Sequence, residues 1–421
     1  MIRLGIFGLS RGWWYAILMQ KANVELVAIC DVDQERIDKC KELLAPGGRA
    51  YTDFDEFIEH DGLDAVLLCN YFDQHVKFAV KCFERGIHVL SETTSSSTMA
   101  ESVLLCRQWE KYNKINGVKY MLAENYPFMK CNQELKYLYE SGRLGRVMYA
   151  EGEYNHPAPK EFTNMITPSM YHWRAWLPAT YYNTHALGPV MFITGLTPVS
   201  VTAQTISVTD KAERCGGTVR RVCESGAIML CKMNNGAVAR VQGCTGYAAE
   251  GNHYLIAGEF GTAESVRGDQ DRINLRYNSW QRPEGESDRI YDAQWHLDDE
   301  LDASLCEGYG HGGSDFWMVR EFVNCIQKDR EPYFNVYRAT AMASVAILGW
   351  RSVLEGKTYE IPDMSKEEDR VLWENDNSTP FPDENGEGAT VPCSLDPYEP
   401  TAEDIAEAER VWAKNQAAKL G

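Results

Sequence analysis

The sequence predicts an α/β fold: a doubly wound parallel sheet at the N terminus, followed by an α+β domain with an open, mainly antiparallel sheet. Two observations support this prediction. In residues 1–122, short and almost continuously apolar runs alternate with helical patterns, which is typical of parallel strands covered on both faces. From residue 199, apolar and polar residues alternate within the predicted strands, which indicates strands with one packed and one exposed face.

The first part of the chain is predicted to alternate strands with helices. The strands are the short apolar runs Arg3–Gly8, Val24–Cys30, Ala65–Asn70, His88–Glu92 and Lys119–Ala123. The helices are the stretches with helical periodicity at Asp33–Leu44, His75–Arg85 and Thr98–Asn113. Because strand–helix–strand units in one sheet are right-handed, this alternation predicts a doubly wound sheet.

The second part of the chain is predicted to combine helices with longer strands. The helices are predicted at Met129–Ser141, His185–Thr194, Ser314–Lys328, Val336–Leu354 and Ala402–Lys419. The strands are predicted at Val147–Tyr154, Val199–Val208, Gly226–Met233, Ala237–Gly243 and Tyr254–Gly258. The sequence Asn234-Asn235-Gly236 predicts a tight hairpin turn. We expect domains at 1–123 and 124–363, and a C-terminal extension at 364–421 with an irregular, solvated acidic segment before its closing helix.

Composition restricts the class of protein and its partners. The 421 residues contain 42 Lys and Arg against 61 Asp and Glu, a formal net charge of −19. Nucleic-acid binding requires a basic surface, and an acidic surface avoids anionic membranes, so neither partner is expected. No apolar run approaches the ~20 residues that span a bilayer, and a strand begins at once, without room for a signal peptide. The 13 cysteines form no CxxC pair, which predicts buried thiols in a reducing compartment, the cytoplasm.

A glycine-containing turn follows the first predicted strand. A dinucleotide-binding turn needs glycines for a tight bend, for close approach of the pyrophosphate and for packing of helix on strand. Gly8 supplies the first glycine, Ser10 and Trp13 stand at the second and third places, and Gly12 takes over part of their role. The residues predicted to bind the cofactor here are Gly8, Ser10, Arg11, Gly12 and Trp13. The alternative is a tight corner without a ligand.

A carboxylate follows about 20 residues later. Asp31 ends the second predicted strand, where a carboxylate accepts both ribose hydroxyls of a dinucleotide. An aspartate at this place also repels a 2′-phosphate. The sequence therefore predicts a Rossmann domain that binds NAD in preference to NADP, and the alternative for Asp31 is a strand-end cap.

Polar residues also end the next two strands of the predicted sheet. Because ligands bind at the carboxyl ends of parallel strands, we expect Asn70, His75 and Glu92 to contact the cofactor. With these motifs, nearly the whole chain resembles the Gfo/Idh/MocA family of NAD(P)-dependent sugar oxidoreductases. That family has a Glu-Lys-Pro motif where this chain has Glu92-Thr93-Thr94. Its lysine helps to relay the proton of the oxidised hydroxyl, and the hydroxyl of Thr93 cannot act as that cation.

Four segments of the second part resemble a more specific group. They are Glu151–Pro157, Tyr171–Trp176, Tyr182–Pro189 and Gly310–Asp315. Similar segments occur in the same order in the NAD-dependent glycoside hydrolases of the α-N-acetylgalactosaminidase type. Those enzymes also lack the lysine and share a Glu-Asn pair, present here as Glu124-Asn125, so Asn125 is expected at the cofactor.

This resemblance implies redox-neutral hydrolysis of a glycoside. NAD⁺ takes a hydride from C3 of the sugar, which acidifies the proton on C2. A base removes that proton, the C1 substituent leaves by elimination, water adds to C1, and the hydride returns. The cofactor is regenerated in every turnover, so the protein must retain it.

The resemblance also implies roles for individual residues. Tyr154 is the base at C2, His185 serves the C3 oxygen or the incoming water, and His156 orients the sugar or the tyrosinate. A phenol of pKa 10 needs roughly 4 kcal/mol of anion stabilisation to ionise at pH 7. The residues expected to bind the substrate are Arg174, Tyr182, Trp173 and His311. The alternatives are packing for the aromatic residues, a cap or core position for the histidines and a structural ion pair for Arg174.

Two other functions remain open from the sequence. A sugar 3-dehydrogenase would release NADH or a 3-keto product, and a non-catalytic regulator would sense NAD or sugar without turnover. No HxxxH or CxxC spacing supports a metal site. The expected ligand is a small-molecule glycoside, and the open sheet face predicts a homodimer or homotetramer.

Overall fold

A computed structural model describes the chain except residues 20, 158–166, 168, 170, 207–223, 225, 246–247, 298, 300, 302–305, 307–309, 382–389, 391–392, 395–400 and 420–421. The chain forms two compact units, each assembled from separate stretches. The first unit comprises Met1–Ser141, Asp292–Ala343 and Pro362–Asp376. The second unit comprises Gly142–Tyr291, Ser344–Ile361 and Asn377–Gly421. The domain boundaries given above stay predictions.

The first unit contains a six-stranded parallel sheet. Its strands are β1 (Ile2–Phe7), β2 (Val24–Cys30), β3 (Arg49–Tyr51), β4 (Ala65–Leu68), β5 (His88–Ser91) and β6 (Tyr120–Leu122). They lie in the order β3-β2-β1-β4-β5-β6 and pair in parallel throughout. The helices of this region are α1 (Leu9–Met19), α2 (Gln34–Cys40), α3 (Phe54–Phe57), α4 (His75–Glu84), α5 (Met99–Asn116) and α6 (Lys130–Glu140). The predicted doubly wound sheet is confirmed, with the short edge strand β3 added.

A mixed nine-stranded sheet forms the second unit. Its strands are β7 (Val147–Asn155), β8 (Pro198–Ile206), β9 (Gly226–Met233), β10 (Val238–Cys244), β11 (Gly251–Gly258), β12 (Gly261–Val266), β13 (Asp269–Tyr277), β14 (Arg289–Asp292) and β15 (Tyr359–Glu360). Their order is β14-β13-β12-β11-β7-β10-β9-β8-β15. The neighbours β7 and β10 are parallel, whereas the pairs β8–β9, β9–β10, β7–β11, β11–β12, β12–β13 and β8–β15 are antiparallel. The predicted, mainly antiparallel sheet is confirmed.

Two short helices lie in sequence between β7 and β8: α7 (Trp173–Trp176) and α8 (Thr184–Thr194). The remaining helices are α9 (Ser314–Gln327), α10 (Val336–Glu355), α11 (Glu367–Val371) and α12 (Ala402–Lys419). The last two residues of the strand predicted at Val199–Val208 lie outside the described residues.

The strands β12 and β13 were not predicted because both are poor in large apolar residues. Only Gly261, Ala263 and Ser265 of β12 are buried, and all three are small. In β13, polar residues surround the buried Ile273 and Leu275. A strand of this kind carries a weak apolar signal, and its position in the sheet depends on its neighbours.

The predicted hairpin joins β9 and β10 as the turn sequence indicates. The Met233 N–H donates to the Ala237 carbonyl at 2.8 Å, and Gly236 has φ +88°. The Asn235 side chain accepts the Ala237 N–H at 2.8 Å. Glycine is favoured here because the turn requires a positive φ.

The core of the first unit includes a helix from far along the sequence. Leu4 and Ile6 of β1 belong to the same buried cluster as Trp317 and Phe322 of α9. The helix α9 thus closes the core of a sheet whose last strand ends at Leu122. Its role in this unit could not be read from local periodicity, because periodicity reports which face is apolar and not which surface it covers.

The segment expected to be irregular and solvated contains a helix and a buried arginine. Arg370 of α11 is 3% exposed, its Nε donates to the Met364 carbonyl at 2.6 Å, and its Nη1 donates to Glu110 Oε2 at 2.8 Å. The Tyr337 hydroxyl donates to Glu110 Oε1 at 2.6 Å. Burial alone would raise the pKa of Glu110, but the hydrogen bonds from Arg370 and Tyr337 bring the pKa below its ordinary value of 4.5. The expectation of a solvated segment is therefore wrong at Arg370, because the guanidinium anchors it to α5.

Replacing Glu110 by Gln is expected to lower the free energy of unfolding near pH 7 by about 1–3 kcal/mol, because the buried guanidinium loses its charged partner. The folded-state pKa of Glu110 is depressed, so its contribution is present above the pKa of the unfolded chain and is lost as pH falls through the folded-state pKa. The difference between the two proteins should therefore shrink below about pH 4.5. Urea unfolding at neutral and acidic pH measures it, and an equal difference at both would contradict the prediction.

Two further findings concern the cysteines and the helices. The described cysteines are free thiols, and all of them except the partly exposed Cys69 are buried, as predicted. Over the described part of the chain, no helix combines the length and apolarity that a bilayer crossing needs.

Candidate functional site

The turn after β1 has the geometry of a glycine-dependent bend. Gly8 has φ +92°, and a Cβ atom there would lie 2.5 Å from the carbonyl carbon of Cys69. The Gly8 N–H donates to the Cys30 carbonyl at 2.9 Å, which ties the turn to the end of β2. A side chain at this position would thus collide with the backbone, and the positive φ of this turn would be unfavourable for any residue other than glycine.

Gly12 takes the helix-packing role that the third glycine of the motif normally has. A Cβ atom there would lie 2.6 Å from Ile6 Cγ2, so α1 packs on β1 only with glycine at this place. Ser10 is exposed in the first turn of α1. Lys39 Nζ lies 4.0 Å from the centre of the Trp13 ring, and the Trp14 ring lies at a centroid distance of 4.7 Å from it.

Asp31 joins the end of β2 to the turn. Its side chain is almost fully buried, and its Oδ2 accepts the Leu9 N–H at 2.6 Å. The other oxygen, Oδ1, accepts the Asp33 N–H at 2.9 Å. A carboxylate has about four acceptor positions, so these bonds leave capacity for ribose hydroxyls. Asp31 therefore caps the strand end, as the alternative proposed, and keeps the acceptors that the cofactor hypothesis requires.

The next strand end along the sheet carries Asn70 and His75. The His75 ring lies between two carbonyl oxygens, with Nδ1 3.1 Å from Thr94 O and Nε2 3.1 Å from Asn70 O. Burial lowers the pKa of His75, which keeps the ring neutral and lets it donate to one carbonyl only. The Asn70 amide nitrogen donates to the Tyr71 carbonyl at 3.1 Å. His75 thus orders the backbone at the edge of the sheet.

An ion-pair network occupies the carboxyl edge of the first sheet. We call it the edge cluster, and its members are Arg11, Tyr15, Glu92, Asn125, His311 and Asp315. The guanidinium of Arg11 donates through Nε to Glu92 Oε1 at 3.1 Å and through Nη2 to Asp315 Oδ1 at 2.9 Å. The Tyr15 hydroxyl donates to the same Glu92 oxygen at 2.7 Å. The guanidinium of Arg11 therefore forms ion pairs with two carboxylates of its own unit.

Asp315 is the residue on which this cluster converges. Its Oδ1 also accepts from the Asn125 amide at 2.7 Å, and its Oδ2 lies 3.1 Å from His311 Nδ1. Burial alone would raise the pKa of Asp315, but the hydrogen bond from His311 and the positive charge of Arg11 bring the pKa below its usual value. His311 has φ +55° and follows Gly310, and its ring centroid lies 5.7 Å from that of Tyr126. Asp315 thus joins Asn125 and His311 to Arg11 of α1.

Four features of the first unit fit a dinucleotide. The Gly8 bend leaves room that any Cβ atom would fill, and Asp31 offers carboxylate oxygens at the end of β2. Among the described residues, the buried Asn70 Oδ1 has no hydrogen-bond partner, which leaves an acceptor at the ligand-binding edge. The start of α1 adds N–H groups and a positive dipole, which favour a pyrophosphate.

The second unit brings four predicted residues together. We call them the tyrosine cluster: Tyr154, His156, Tyr182 and His185. Tyr154 is 5% exposed, and its ring lies 4.8 Å from the His185 ring, nearly perpendicular to it. The Tyr182 ring stacks on Tyr154 at 5.5 Å, and the His156 ring lies at 5.7 Å. A buried phenol is thus surrounded by two imidazoles and a second phenol, all centroid distances being below 6 Å.

Two strand glycines determine how closely these residues approach. A Cβ atom at Gly152 of β7 would lie 1.9 Å from the Ala186 carbonyl oxygen, so the first turn of α8 rests directly on the strand. In the neighbouring strand, a Cβ atom at Gly243 would lie 2.9 Å from the Tyr182 carbonyl oxygen. Glycine inside a strand indicates such a close backbone approach. The two glycines therefore place His185 and Tyr182 over Tyr154.

Arg174 and Trp173 lie together at the start of α7. The Arg174 guanidinium lies 4.3 Å from the centre of the Trp173 ring. His172 caps this helix, and burial, with the charge of Arg174, lowers the pKa of His172 to about 3. Trp176, the last residue of this helix, is buried.

Several contributors were not singled out from the sequence. Tyr15 lies four residues after Arg11, a helical spacing that places both on one face of α1 and was the available signal. Tyr254 is fully buried and donates its hydroxyl to the His185 carbonyl at 2.7 Å. No local pattern identifies it, because the contact joins β11 to α8. Gly152 and Gly243 were detectable as glycines inside predicted strands.

The chain matches three known family models. Residues 2–120 match the oxidoreductase family with an NAD-binding Rossmann fold. Residues 132–264 match the GFO/IDH/MocA C-terminal domain, and residues 239–370 match the C-terminal domain of glycosyl hydrolase 109. With the turn geometry described above, the first match identifies NAD as the cofactor of the first unit.

Similar proteins include curated glycosidases. An α-N-acetylgalactosaminidase of Shewanella oneidensis is 23% identical over 408 residues, which cover 89% of this chain and 86% of that protein. A glycosyl hydrolase family 109 protein of Stenotrophomonas maltophilia is 19% identical over 410 residues, which cover 83% of this chain and 85% of that protein. Both alignments span more than four fifths of each protein.

Solved structures share the fold over most of the chain. An oxidoreductase domain protein from Kribbella flavida has a TM-score of 0.69 at 18% identity and covers 86% of this chain and 99% of its own. Levoglucosan dehydrogenase, solved with NADH and levoglucosan, has a TM-score of 0.69 at 15% identity and the same coverages. These likenesses establish the fold.

Proposed function

We propose that this chain, which belongs to the Gfo/Idh/MocA oxidoreductase family, is a glycosidase that oxidises its sugar transiently and restores it before the product leaves. The observation that carries this proposal is the tyrosine cluster, in which a buried phenol lies against two imidazoles. Bound NAD⁺ supplies a reversible two-electron acceptor at C3 of the sugar. The residues that would hold it are Gly8, Gly12, Asp31 and Asn70.

Tyr154 is the proposed base that takes the proton from C2 of the sugar. Its hydroxyl must carry a negative charge to do so, and positively polarised neighbours reduce the cost of that charge in a buried place. The imidazoles of His156 and His185 are the candidates, because their ring centroids lie 5.7 and 4.8 Å from that of Tyr154. Tyr154 Oη thus accepts the proton, and its ring is held in place by stacking on Tyr182.

His185 is the proposed group for proton transfer at the C3 oxygen. An imidazole both donates and accepts near neutral pH, a role that contributes typically 10²–10⁴-fold to rate. The Tyr254 hydroxyl fixes the His185 backbone carbonyl, so α8 begins at a defined position above β7. Arg174, Trp173 and His311 are the proposed sugar-binding residues.

Thr93 favours a reaction without net oxidation. Its N–H donates to Glu92 Oε2 at 3.1 Å, and its side chain offers a hydroxyl where the family has a lysine. The cation that supports an ordinary alcohol dehydrogenation is therefore missing from this place. A reaction in which the sugar is reduced again before release is consistent with this change.

A panel of aryl glycosides in heavy water, with catalytic NAD⁺, tests the proposal. We expect release of the aglycone, deuterium at C2 of the product, and no accumulation of NADH. Stoichiometric NADH would instead indicate a sugar 3-dehydrogenase, and tight NAD binding without turnover of any glycoside would favour a sensor. Hydrolysis of a substrate whose C3 hydroxyl is replaced by fluorine would disprove the mechanism.

Replacing Asp31 by Asn is expected to weaken NAD⁺ binding about tenfold and to reduce the preference for NAD⁺ over NADP⁺. The reason is that the substitution removes a charged acceptor, whose hydrogen bonds are worth about 1.5–3 kcal/mol. Calorimetric titration of both cofactors measures the effect. Asp33→Asn is the matched control, because it makes the same charge change at a helix cap that Asn also fills. Equal affinities for the wild type and Asp31→Asn would refute the prediction.

A further inference from the structure

Asp31 faces an arginine of the helix that follows it. Arg36 lies in α2, and its Nη1 is 3.6 Å from Asp31 Oδ2. Its Nε is 3.2 Å from Asp33 Oδ2. The Arg36 side chain is 35% exposed, whereas Asp31 is almost fully buried. A partly exposed guanidinium therefore lies beside the carboxylate that is expected to hold the ribose of the cofactor.

The orientation of Asp31 does not depend on Arg36. Two backbone donors hold the carboxylate, the Leu9 N–H on Oδ2 at 2.6 Å and the Asp33 N–H on Oδ1 at 2.9 Å. The 3.6 Å between Arg36 Nη1 and Asp31 Oδ2 exceeds the length of a hydrogen bond. Arg36 therefore acts on Asp31 through its charge, and its N–H groups on that side are not bonded to the Asp31 carboxylate.

We propose that Arg36 determines how strongly the first unit discriminates between NAD and NADP, as a ligand for the 2′-phosphate of NADP. The two cofactors differ by a phosphate on the 2′ oxygen of one ribose. In dinucleotide-binding sheets, an acidic residue at the place of Asp31 binds that hydroxyl, and a nearby arginine accommodates the phosphate. Here both side chains are present: Asp31 repels the phosphate, and Arg36 attracts it. The preference for NAD is thus the difference between two opposing contributions.

The two contributions are coupled through the contact between the side chains. Arginine presents planar N–H donors that match a phosphate, and its interaction with phosphate is charge-assisted. In the wild type, the charge of Arg36 is shared with the carboxylates of Asp31 and Asp33. Without the charge of Asp31, more of the positive charge is available to a phosphate. Arg36 should therefore contribute more to NADP⁺ binding when Asp31 is replaced, which a double-mutant cycle measures.

The test measures NAD⁺ and NADP⁺ binding by calorimetry in the full-length protein without any substrate. The proteins are the wild type, Arg36→Gln, Asp31→Asn and the double variant. We expect loss of Arg36 to weaken NADP⁺ binding about threefold in the wild type, a size typical of an exposed ion pair, and about tenfold in Asp31→Asn. NAD⁺ binding should change by less than about twofold on loss of Arg36, because NAD⁺ has no 2′-phosphate.

Lys41→Gln is the matched control. Lys41 follows α2 and pairs with Asp38, so the substitution removes a positive charge of the same region that faces another carboxylate. Both dissociation constants should stay unchanged in this variant. A change equal to that of Arg36→Gln would show that overall charge determines the affinity for NADP⁺, and the assignment to Arg36 would be withdrawn.

The outcomes separate a ligand from a structural role. Equal NADP⁺ affinities for Asp31→Asn and the double variant would overturn the proposal. An equal loss of NAD⁺ and NADP⁺ affinity in Arg36→Gln would also overturn it, since that result indicates support of the loop after β2. Thermal unfolding checks each protein, and if Asp31→Asn does not fold, the ratio of the two constants in Arg36→Gln decides. The inference goes beyond the proposed function, because binding of either cofactor needs no glycoside.

Discussion

Replacing Tyr154 by Phe is expected to lower the turnover number for glycoside cleavage roughly 10²–10⁴-fold, the usual contribution of a positioned general base. Deuterium incorporation at C2 should fall with it, because the same proton transfer produces both signals. The phenyl ring keeps its packing against Tyr182 and His185, so the fold and NAD⁺ binding should persist. Aglycone release, exchange at C2 and calorimetric NAD⁺ titration provide the three measurements.

Tyr149→Phe is the matched control for this variant. Tyr149 lies on the same strand as Tyr154 and is separated from it by an odd number of residue steps, so its side chain is on the opposite face of the sheet. Its hydroxyl donates to Glu151 Oε1 at 2.8 Å. Its loss should leave turnover within about twofold, the change that about 0.4 kcal/mol produces. If Tyr154→Phe retained exchange at C2 at the wild-type rate, Tyr154 would not be the base and that assignment would be withdrawn.

Replacing Gly152 by Ala is expected to reduce both stability and turnover. The new methyl group would lie 1.9 Å from the Ala186 carbonyl oxygen, so α8 must move away from β7. Overpacking of this kind costs about 1–3 kcal/mol. Because a 1 Å misplacement of a catalytic group can cost roughly 10²-fold, displacement of His185 should reduce turnover by about that factor. Urea unfolding and aglycone release measure the two effects.

Gly349→Ala serves as the comparison within the same unit. The nearest atoms that a Cβ at Gly349 would meet outside its own helix turn belong to side chains, the closest being the sulfur of Met229 at 3.3 Å. A helix interior also favours Ala over Gly by about 1 kcal/mol. This variant should therefore keep wild-type turnover. If Gly152→Ala behaved like Gly349→Ala, contact between α8 and β7 would not determine the position of His185.

Much of the fold was predictable because its signals are local. The apolar runs of β1, β2 and β4 and the helical periodicity of α4 each describe a segment of 4 to 10 residues. The same holds for the hairpin at Asn235-Gly236, where a positive φ needs glycine. The polar strand β13 was missed, since its place in the sheet depends on partners and not on its own apolar content.

For the candidate site, the sequence predicted which residue types contribute and which segments of the chain carry them. Tyr154, His156 and His185 were identified from their motifs, and the structure brings both imidazole rings within 6 Å of the Tyr154 ring. The network around Asp315 was not predictable, because Arg11 and Asp315 lie 304 positions apart in sequence. Local patterns hold no information about such a pairing.

The sequence alone determined the class of fold, the turn that binds a dinucleotide and the kinds of side chain available for proton transfer. These properties follow from backbone conformational preferences, burial patterns and side-chain chemistry, all of which act over short stretches. Only the tertiary structure decided that Arg11 pairs with two carboxylates, that Gly152 lets α8 touch β7, and that α9 completes the core around β1. Those outcomes depend on packing between distant segments, where shape and charge must match in space.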